Sequence, residues 1–319
     1  GFCGATKRGM YPCLAIADSV TFCGRQMIEK TRTLAEEFIP GARVIYGDSV
    51  AEYTPLLARR GDGNLFVATP PSLAAGEWYP TLDGKECATV HDVETWTERG
   101  WSAVHFVLRH AIDKPLYRVR TGSGVVDVTA DRSLVRSDGT PCTPAECVPR
   151  ATSLLHAWPE AGAASAEARR GDALLQTDED LAECMGGIVR LSKGSMPEGL
   201  LNADAAAQRA FLDAFFSANA RGSETTRAGQ WWHARDLAVN VTGERNALIL
   251  FAILRNLGFV AAVSCPRDAS RLHTYCLRFR RERGGASTAK AHVVREVRPV
   301  PYSGAYVYDL VTENHHFHA

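Results

Sequence analysis

The sequence predicts a mostly β fold that is interrupted by an α/β unit and preceded by a helix–strand piece. Three observations support this fold class. A helical pattern and one short apolar run occupy the beginning, short apolar runs separated by turn residues follow from residue 49, and helical patterns interleaved with strands come later. We therefore expect four regions, at residues 1–48, 49–160, 161–285 and 286–319.

The first region contains one helix and one strand. Apolar side chains recur three or four positions apart over residues 17–38, after an Asp-Ser cap and before a Pro-Gly pair, which predicts an amphipathic helix. The strand ARVIY, residues 42–46, then leads into a turn that carries Asp48.

The second region has the pattern of an all-β domain. Its strand-like runs are NLFVATP, WSAVHFVLRH, PLYRVRT and GVVDVTA. Turn signals separate them, among them Gly-Asp-Gly at residues 61–63 and Ser-Asp-Gly at residues 137–139. A segment rich in Pro, Ala and Glu at residues 156–172 is interpreted as a linker or an inserted helix.

The third region alternates helices with strands. Helical periodicity covers residues 181–194, 204–220 and 244–259, and the strand-like runs LAVNVTG and VAAVSC lie between and after these helices. The last region, ending in GAYVYDLVTENHHFHA, returns to strand character.

Composition narrows the classes of function. Lys+Arg 36 against Asp+Glu 36 gives no net charge, so the chain is no bulk polycation for nucleic acid or membranes, although residues 271–283 are locally basic. Nine cysteines without a C-x-x-C pair predict free thiols and an intracellular, reducing compartment. No apolar run is long enough to span a bilayer, so we expect no membrane partner.

Residues 1–31, GFCGATKRGMYPCLAIADSVTFCGRQMIEKT, and the following VIYGD resemble a family B DNA polymerase of the delta type. The metal motif of that family, Tyr-Gly-Asp-Thr-Asp-Ser, is interrupted here after Asp48. Residues 49–319 resemble an intein, which implies a horseshoe-like β domain of the Hint class with a degenerate homing endonuclease of the LAGLIDADG class inside it. Deletion of Thr-Asp from the polymerase motif would also leave YGDSV, and polymerase sequence should then follow. The residues that do follow, AEYTPLL, resemble the first intein block instead.

The intein resemblance implies a set of splicing residues. Ser49 would attack the carbonyl of Asp48 and form an ester, whereas the residue on its own indicates a turn serine more readily than a nucleophile. Thr129 would assist, and Arg132 stands where the family has histidine; a guanidinium polarises an amide but is a poor proton shuttle. Asp309 would coordinate the first steps, and His315 would assist asparagine cyclisation, although the histidines at 315, 316 and 318 are also conceivable metal ligands.

The endonuclease resemblance implies a dead active site. Lys193 and Asn219 occupy the positions where the family has its metal-binding acids, and neither side chain suits Mg²⁺. The arginines at 278, 280, 281 and 283 are candidates for residual DNA binding, with a solvated charged strand as the alternative.

Partners and cofactors follow from the same resemblance. Splicing needs no cofactor, but it needs a last intein block with its C-terminal extein, which is either lost from a truncated sequence or supplied in trans as in a split intein. Splicing would join Asp48 to the second acid, so that Mg²⁺ could serve the polymerase. The competing interpretations are a polymerase with an inert insert, an active nuclease, or a binding half whose β strands await a complementary peptide.

Overall fold

A large antiparallel sheet dominates the part of the chain that the structure describes. The computed structural model describes residues 49–81, 84–112, 114–131, 134–156, 158–159, 196–219, 237–265, 273–281, 292–313 and 317. The chain divides into two compact units, Gly1–Tyr46 and Gly47–Ala319. The predicted helix at residues 17–38, the strand at 42–46 and the helix at 181–194 lie outside the described residues, as does most of the segment 156–172.

Short strands account for most of the second unit. In chain order they are β1 (Val50–Ala51), β2 (Leu56–Arg60), β3 (Leu65–Ala68), β4 (Ala75–Pro80), β5 (Glu86–Thr89), β6 (Val93–Thr97), β7 (Gly100–Ala111), β8 (Leu116–Thr121), β9 (Val125–Thr129), β10 (Leu134–Val135), β11 (Pro141–Cys142), β12 (Leu237–Thr242), β13 (Phe259–Ser264), β14 (Thr274–Arg281), β15 (Val294–Val300) and β16 (Tyr306–Thr312). The helices are α1 (Pro70–Leu73), α2 (Ala205–Asn219) and α3 (Glu244–Asn256), with 3-10 turns at Pro144–Glu146 and Glu198–Leu201.

The large sheet has 11 strands, and its main path runs β15-β8-β9-β1-β16-β7-β6-β2-β3. β4 and β5 attach to β7 from the side. All of these pairings are antiparallel. Two-residue β1 therefore lies between β9 and β16, strands that are far apart in the sequence. We call the large sheet, α1 and the β10–β11 hairpin the β domain.

Strand β7 joins the two ends of this sheet. Its first residues pair with β6, and its later residues pair with β16 on one edge and with β5 on the other. The strand is 12 residues long, and Val104 and Val107 are buried on it. β-branched residues fit such a pleated, half-buried surface, which explains why this run forms a strand of unusual length.

The α/β unit appears between β11 and β15 in the chain. β12, β14 and β13 form a three-stranded sheet in that order, and α2 and α3 accompany it; we call these elements, with the turn Glu198–Leu201, the α/β layer. Helices were predicted at residues 204–220 and 244–259, and both are confirmed as α2 and α3. The predicted mostly β fold with an α/β insertion is therefore confirmed.

Helix α3 is apolar on nearly all sides because it is enclosed. Its buried residues include Ile249, Leu250, Ile253 and Leu254, each 0% exposed. A helix with apolar residues around its circumference needs partners on more than one side. The helix ends at Asn256, and Gly258, two residues further on, has a φ of 82°, the left-handed conformation that favours glycine after a helix.

The α/β layer shares its hydrophobic core with the β domain. The largest core cluster unites Leu57 and Val67 of the β domain with Phe211 of α2 and Leu250 of α3. Asn202 adds a polar connection, because its side chain accepts from the backbone N–H of Leu65 at 2.7 Å and donates to the Leu65 carbonyl at 2.9 Å. The insertion is therefore packed into the β domain and is not attached only by its linkers.

Among the described residues, no helix is both long and apolar enough to cross a membrane.

Candidate functional site

Ser49 lies in the middle of the large sheet. It is buried, with 4% of its surface exposed, and it immediately precedes β1. Val50 pairs with Val128 of β9 on one side and with Tyr308 of β16 on the other. Continuing both registers by one residue puts Ser49 opposite Thr129 and opposite Asp309. The backbone confirms the first pairing, because the N–H of Thr129 donates to the Ser49 carbonyl at 3.1 Å.

Directly opposed residues of neighbouring strands project to the same face of a sheet. Ser49, Thr129 and Asp309 therefore share one face, and all three are buried. Asp309 accepts a hydrogen bond from the backbone N–H of Leu310 at 2.7 Å through Oδ1. The structure thus brings together a hydroxyl at the start of the domain, a second hydroxyl and a carboxylate, although they are 80 and 180 residues apart in the chain.

The other predicted site residues are not all described. Asp48, Arg132, Lys193, Arg283 and His315 lie outside the described residues. Asn219 is the last residue of α2. Within the described ranges, no three His, Cys, Asp or Glu side chains gather into a group that could hold a metal ion.

Arg278 and Arg280 lie on the central strand of the three-stranded sheet, and both are exposed. Between and beside them, Tyr275, Leu277 and Phe279 are buried. The period of two in a strand separates these residues onto opposite faces. The sheet of the α/β layer therefore has one apolar face toward the core and one basic face toward solvent.

A buried ion pair, not predicted from the sequence, lies on the same face of the large sheet as Ser49 and Thr129. Arg118 of β8 and Asp127 of β9 are a directly opposed pair, with side chains 2% and 3% exposed. The guanidinium donates from Nε to Oδ1 at 2.7 Å and from Nη2 to Oδ2 at 2.6 Å. This two-pronged geometry is the strongest form of the Arg–carboxylate contact.

Tyr53 connects that ion pair to the first strand. Its hydroxyl donates to Oδ2 of Asp127 at 2.6 Å. Burial and the neighbouring Asp127 raise the pKa of Tyr53 above its ordinary value, so the phenol stays protonated and can act as donor. Burial disfavours the charge on Arg118, but the hydrogen bonds and charge of Asp127 outweigh this and raise the pKa of the guanidinium.

The α/β layer contacts Tyr53 as well. The ring of His273 meets the Tyr53 ring edge-on, with centroids 5.2 Å apart. Glu244, at the start of α3, accepts from the hydroxyl of Tyr275 at 2.9 Å and contacts Nδ1 of His273. A cavity of about 100 Å³ lies at this junction, lined from both sides by aromatic residues such as Trp96, Trp158 and Phe251.

One signal in the sequence could have revealed the ion pair. Arg118 lies four residues before the two-residue turn Gly122-Ser123, and Asp127 lies four residues after it, as opposed residues of a hairpin do. Tyr53 and His273 are 220 residues apart, and only the packing of the α/β layer brings them together.

The two connections between the β domain and the α/β layer also meet. His156 precedes the inserted region and His292 follows it, and their rings stack with centroids 4.4 Å apart. Nδ1 of His292 is 3.0 Å from the hydroxyl of Ser123 in the β8–β9 turn. Burial, followed by the charge of Arg255, lowers the pKa of His292 below its ordinary value.

The beginning of the chain matches a known family. Residues 1–51 match the DNA polymerase family B family. The DNA polymerase delta catalytic subunit of Schizosaccharomyces pombe is 52% identical over 56 residues, which cover 15% of this chain and 5% of that protein.

Other DNA polymerases match more of the chain. A DNA polymerase of Acanthamoeba polyphaga mimivirus is 24% identical over 398 residues, covering all of this chain and 22% of that protein. A DNA polymerase of a Thermococcus species is 37% identical over 142 residues, covering 42% of this chain and 8% of that protein. Since 42% of 319 residues is about 134, this match cannot be confined to residues 1–51. The chain spans less than a quarter of each of these relatives.

The solved structure of a transcription factor IIB mini-intein is 10% identical and has a TM-score of 0.31, covering 84% of this chain and 90% of that one.

The second unit is mostly β and is built around one large antiparallel sheet. Residues 1–51 are similar to family B DNA polymerases, and the similarity to DNA polymerases continues beyond these residues.

Proposed function

We propose that the chain is an intein of the Hint class within a family B DNA polymerase, and that the β domain catalyses its own excision from that polymerase, beginning at Ser49. In the first step the Ser49 hydroxyl oxygen attacks the carbonyl carbon of Asp48. The C–N bond between these residues breaks, a C–O ester bond forms, and the hydroxyl proton is retained on the freed amine of Ser49. The observation that supports this proposal is the register that puts Ser49 opposite both Thr129 and Asp309 on one buried face.

In this proposal, the neighbouring groups divide the work of the first step. The Thr129 hydroxyl, on the residue opposite Ser49, would hydrogen-bond the scissile amide or the developing oxyanion. The Asp309 carboxylate would accept the proton of the attacking hydroxyl and pass it to the departing amide nitrogen of Ser49. Arg132 follows Thr129 by three residues and would polarise the amide, because a guanidinium remains charged throughout.

The later steps need further sequence. A last segment, continuing the chain or supplied in trans, would contribute a terminal asparagine and the following Ser or Thr nucleophile. His315 would assist cyclisation of that asparagine. Excision would rejoin Asp48 to the second carboxylate of the polymerase motif, and this pair would hold the Mg²⁺ ions that the polymerase uses with DNA. In this proposal the chain functions in an intracellular, reducing compartment, because such a compartment keeps its cysteines as free thiols.

The test mixes the chain with a synthetic peptide that carries the last intein block and a Ser or Thr extein residue. Mass spectrometry over time should detect residues 1–48 joined to the added extein. A Ser49→Ala variant is the matched control and should give no such product. If the chain is inactive, Arg132→His tests whether the missing histidine is the defect; absence of product from both chains with the peptide would refute the proposal.

A second candidate function concerns the α/β layer. We propose that it is a degenerate homing endonuclease of the LAGLIDADG class that has retained weak DNA binding, because Arg278 and Arg280 form a basic, exposed face on its sheet. Lys193 and Asn219 stand in place of the metal-binding acids, so nicking of DNA with Mg²⁺ should be absent.

Fluorescence anisotropy with duplex DNA tests this second proposal. Binding should weaken as salt rises, and Arg278→Ala together with Arg280→Ala should reduce both the affinity and the salt dependence. Arg295→Ala, an exposed arginine of β15, is the matched control. Equal binding by the control and the double variant would argue against this surface, and Mg²⁺-dependent nicking would contradict the loss of nuclease activity.

A further inference from the structure

We propose that Tyr53 is a positioning residue through which the α/β layer holds Ser49 in place for the first splicing step. This inference rests on the proposed function, and it adds a mode of control to it. The α/β layer would then influence splicing, because the rate of ester formation would depend on its contact with Tyr53.

A hydrogen bond connects Tyr53 to Asp127. Tyr53 follows β1 and is connected to it by a tight turn in which the Thr54 N–H donates to the Ala51 carbonyl at 3.0 Å. Asp127 lies on β9 two residues before Thr129, and therefore on the same face of that strand. The hydrogen bond at 2.6 Å is thus a side-chain connection between the strand that follows Ser49 and the strand that carries Thr129.

The acceptor of this hydrogen bond is itself fixed. Both carboxylate oxygens of Asp127 are engaged by Arg118, and both side chains are almost fully buried. A buried bidentate pair has little rotational freedom, so Tyr53 docks onto a rigid point. On the opposite edge of β1, the Tyr302 hydroxyl accepts from the Glu52 N–H at 3.2 Å and donates to the Tyr306 carbonyl at 2.6 Å.

Tyr53 also contacts the α/β layer through the ring of His273. The edge of one ring faces the other between Tyr53 and His273, with an interplanar angle of 89°. His273 contacts Glu244, and Glu244 also accepts from Tyr275. The orientation of the Tyr53 ring is therefore set by the start of α3 and by the residue before β14. A shift of either element would be transmitted to Ser49 over only four residues of chain.

Two variants separate the parts of this network. Tyr53→Phe removes only the hydroxyl and keeps the ring, while His273→Ala removes the ring of the α/β layer that contacts Tyr53, together with its contact to Glu244. Tyr79→Phe is the matched control, because Tyr79 is 55% exposed on β4, away from the site. A hydrogen bond to a charged acceptor is strong enough that its loss should change a local rate or equilibrium about tenfold or more.

The first readout does not require splicing. Hydrogen exchange of the Thr129 amide reports on its bond to the Ser49 carbonyl. Tyr53→Phe should accelerate this exchange about tenfold, and His273→Ala should do so by about threefold, while Tyr79→Phe leaves it unchanged. Amides of β8 that pair with β15 should keep their rates in all variants. Uniform acceleration at both places would mean general destabilisation and would overturn the proposal.

The second readout is hydroxylamine cleavage after Asp48, measured in the full chain below the unfolding temperature. Tyr53→Phe should slow cleavage about tenfold. The double variant with His273→Ala should be slowed by less than the product of the two single effects, since both act through Tyr53. An unchanged cleavage rate in Tyr53→Phe would overturn the positioning role. If the parent chain did not cleave while Thr129 exchange still responded selectively, the proposed function would fail and the structural connection would stand.

Discussion

Breaking the Arg118–Asp127 pair should be among the most destabilising single changes in the β domain. Replacement of Arg118 by Met removes the guanidinium but keeps most of the chain length, and it leaves the Asp127 carboxylate buried with only the Tyr53 hydroxyl as side-chain donor. Loss of one partner from a fully buried ion pair costs about 3–5 kcal/mol. For a chain of this size, that corresponds to a fall in Tm of roughly 10 °C.

A neighbouring arginine provides the control. Arg120 is on the same strand and contacts Glu296 at 3.1 Å, but the two side chains are 28% and 20% exposed. Arg120→Met should therefore cost less than about 1 kcal/mol, as partly solvated pairs do. Replacement of both buried partners, Arg118→Met with Asp127→Leu, should recover most of the lost stability, because no charge is then left buried and unpaired.

Urea unfolding followed by circular dichroism gives the free energy of unfolding for each variant, provided that the slope with denaturant is unchanged. The expected order of stability is parent, Arg120→Met, the double variant and then Arg118→Met. If Arg118→Met lowers the free energy of unfolding no more than Arg120→Met does, the buried ion pair does not stabilise the fold as described. The Asp127 carboxylate would then not be the rigid acceptor for Tyr53 that the positioning role needs.

Three further predictions follow from the structure. Leu250→Ala should lower the free energy of unfolding by about 2–5 kcal/mol in the same urea experiment, because Leu250 is 0% exposed in the shared core; a cost similar to that of the 58% exposed control Val148→Ala would contradict it. The folded state holds the pKa of His292 below its ordinary 6.5, so the unfolded chain binds the proton more readily than the folded chain. The contribution of His292 to stability should therefore be full above about pH 6.5 and be lost as the pH falls below that value. In thermal unfolding scans from pH 5 to 8, His292→Gln should make this loss of stability smaller. Burial, followed by the nearby Cys142, raises the pKa of the Cys147 thiol to about 12. Cys147 should therefore react with a disulfide reagent at pH 8 more slowly than half-exposed Cys87, which peptide mass mapping can measure. Equal reaction rates at the two cysteines would contradict the burial of Cys147.

Local patterns predicted the elements well because each is determined by its own residues. The helix expected at residues 244–259 was found at Glu244–Asn256, and the glycine that ends it is visible in the sequence. The run GVVDVTA became β9, and YVYDLVT became β16. In these cases periodicity and turn residues carry the information.

The site was only partly predictable for the same reason. Ser49, Thr129 and Asp309 were selected by family resemblance, and the structure adds that they share one face of neighbouring strands. The role of Tyr53 depends on packing between α3, β14 and the β domain, which no local pattern records. The union of the α/β layer and the β domain in one core was likewise invisible, because apolar residues such as Leu57 and Leu250 look the same whichever surface they cover.

The most direct test of the account is hydroxylamine cleavage at the Asp48–Ser49 junction. Hydroxylamine attacks an ester far faster than an amide, so it releases residues 1–48 as a hydroxamate only if Ser49 has formed the ester. The account predicts this fragment, by intact mass, from the parent chain or from Arg132→His, and predicts none from Ser49→Ala in either background. Release of the fragment at equal rates with and without Ser49, or no release from the parent chain and Arg132→His alike, would contradict the claim that Ser49 begins a splicing reaction.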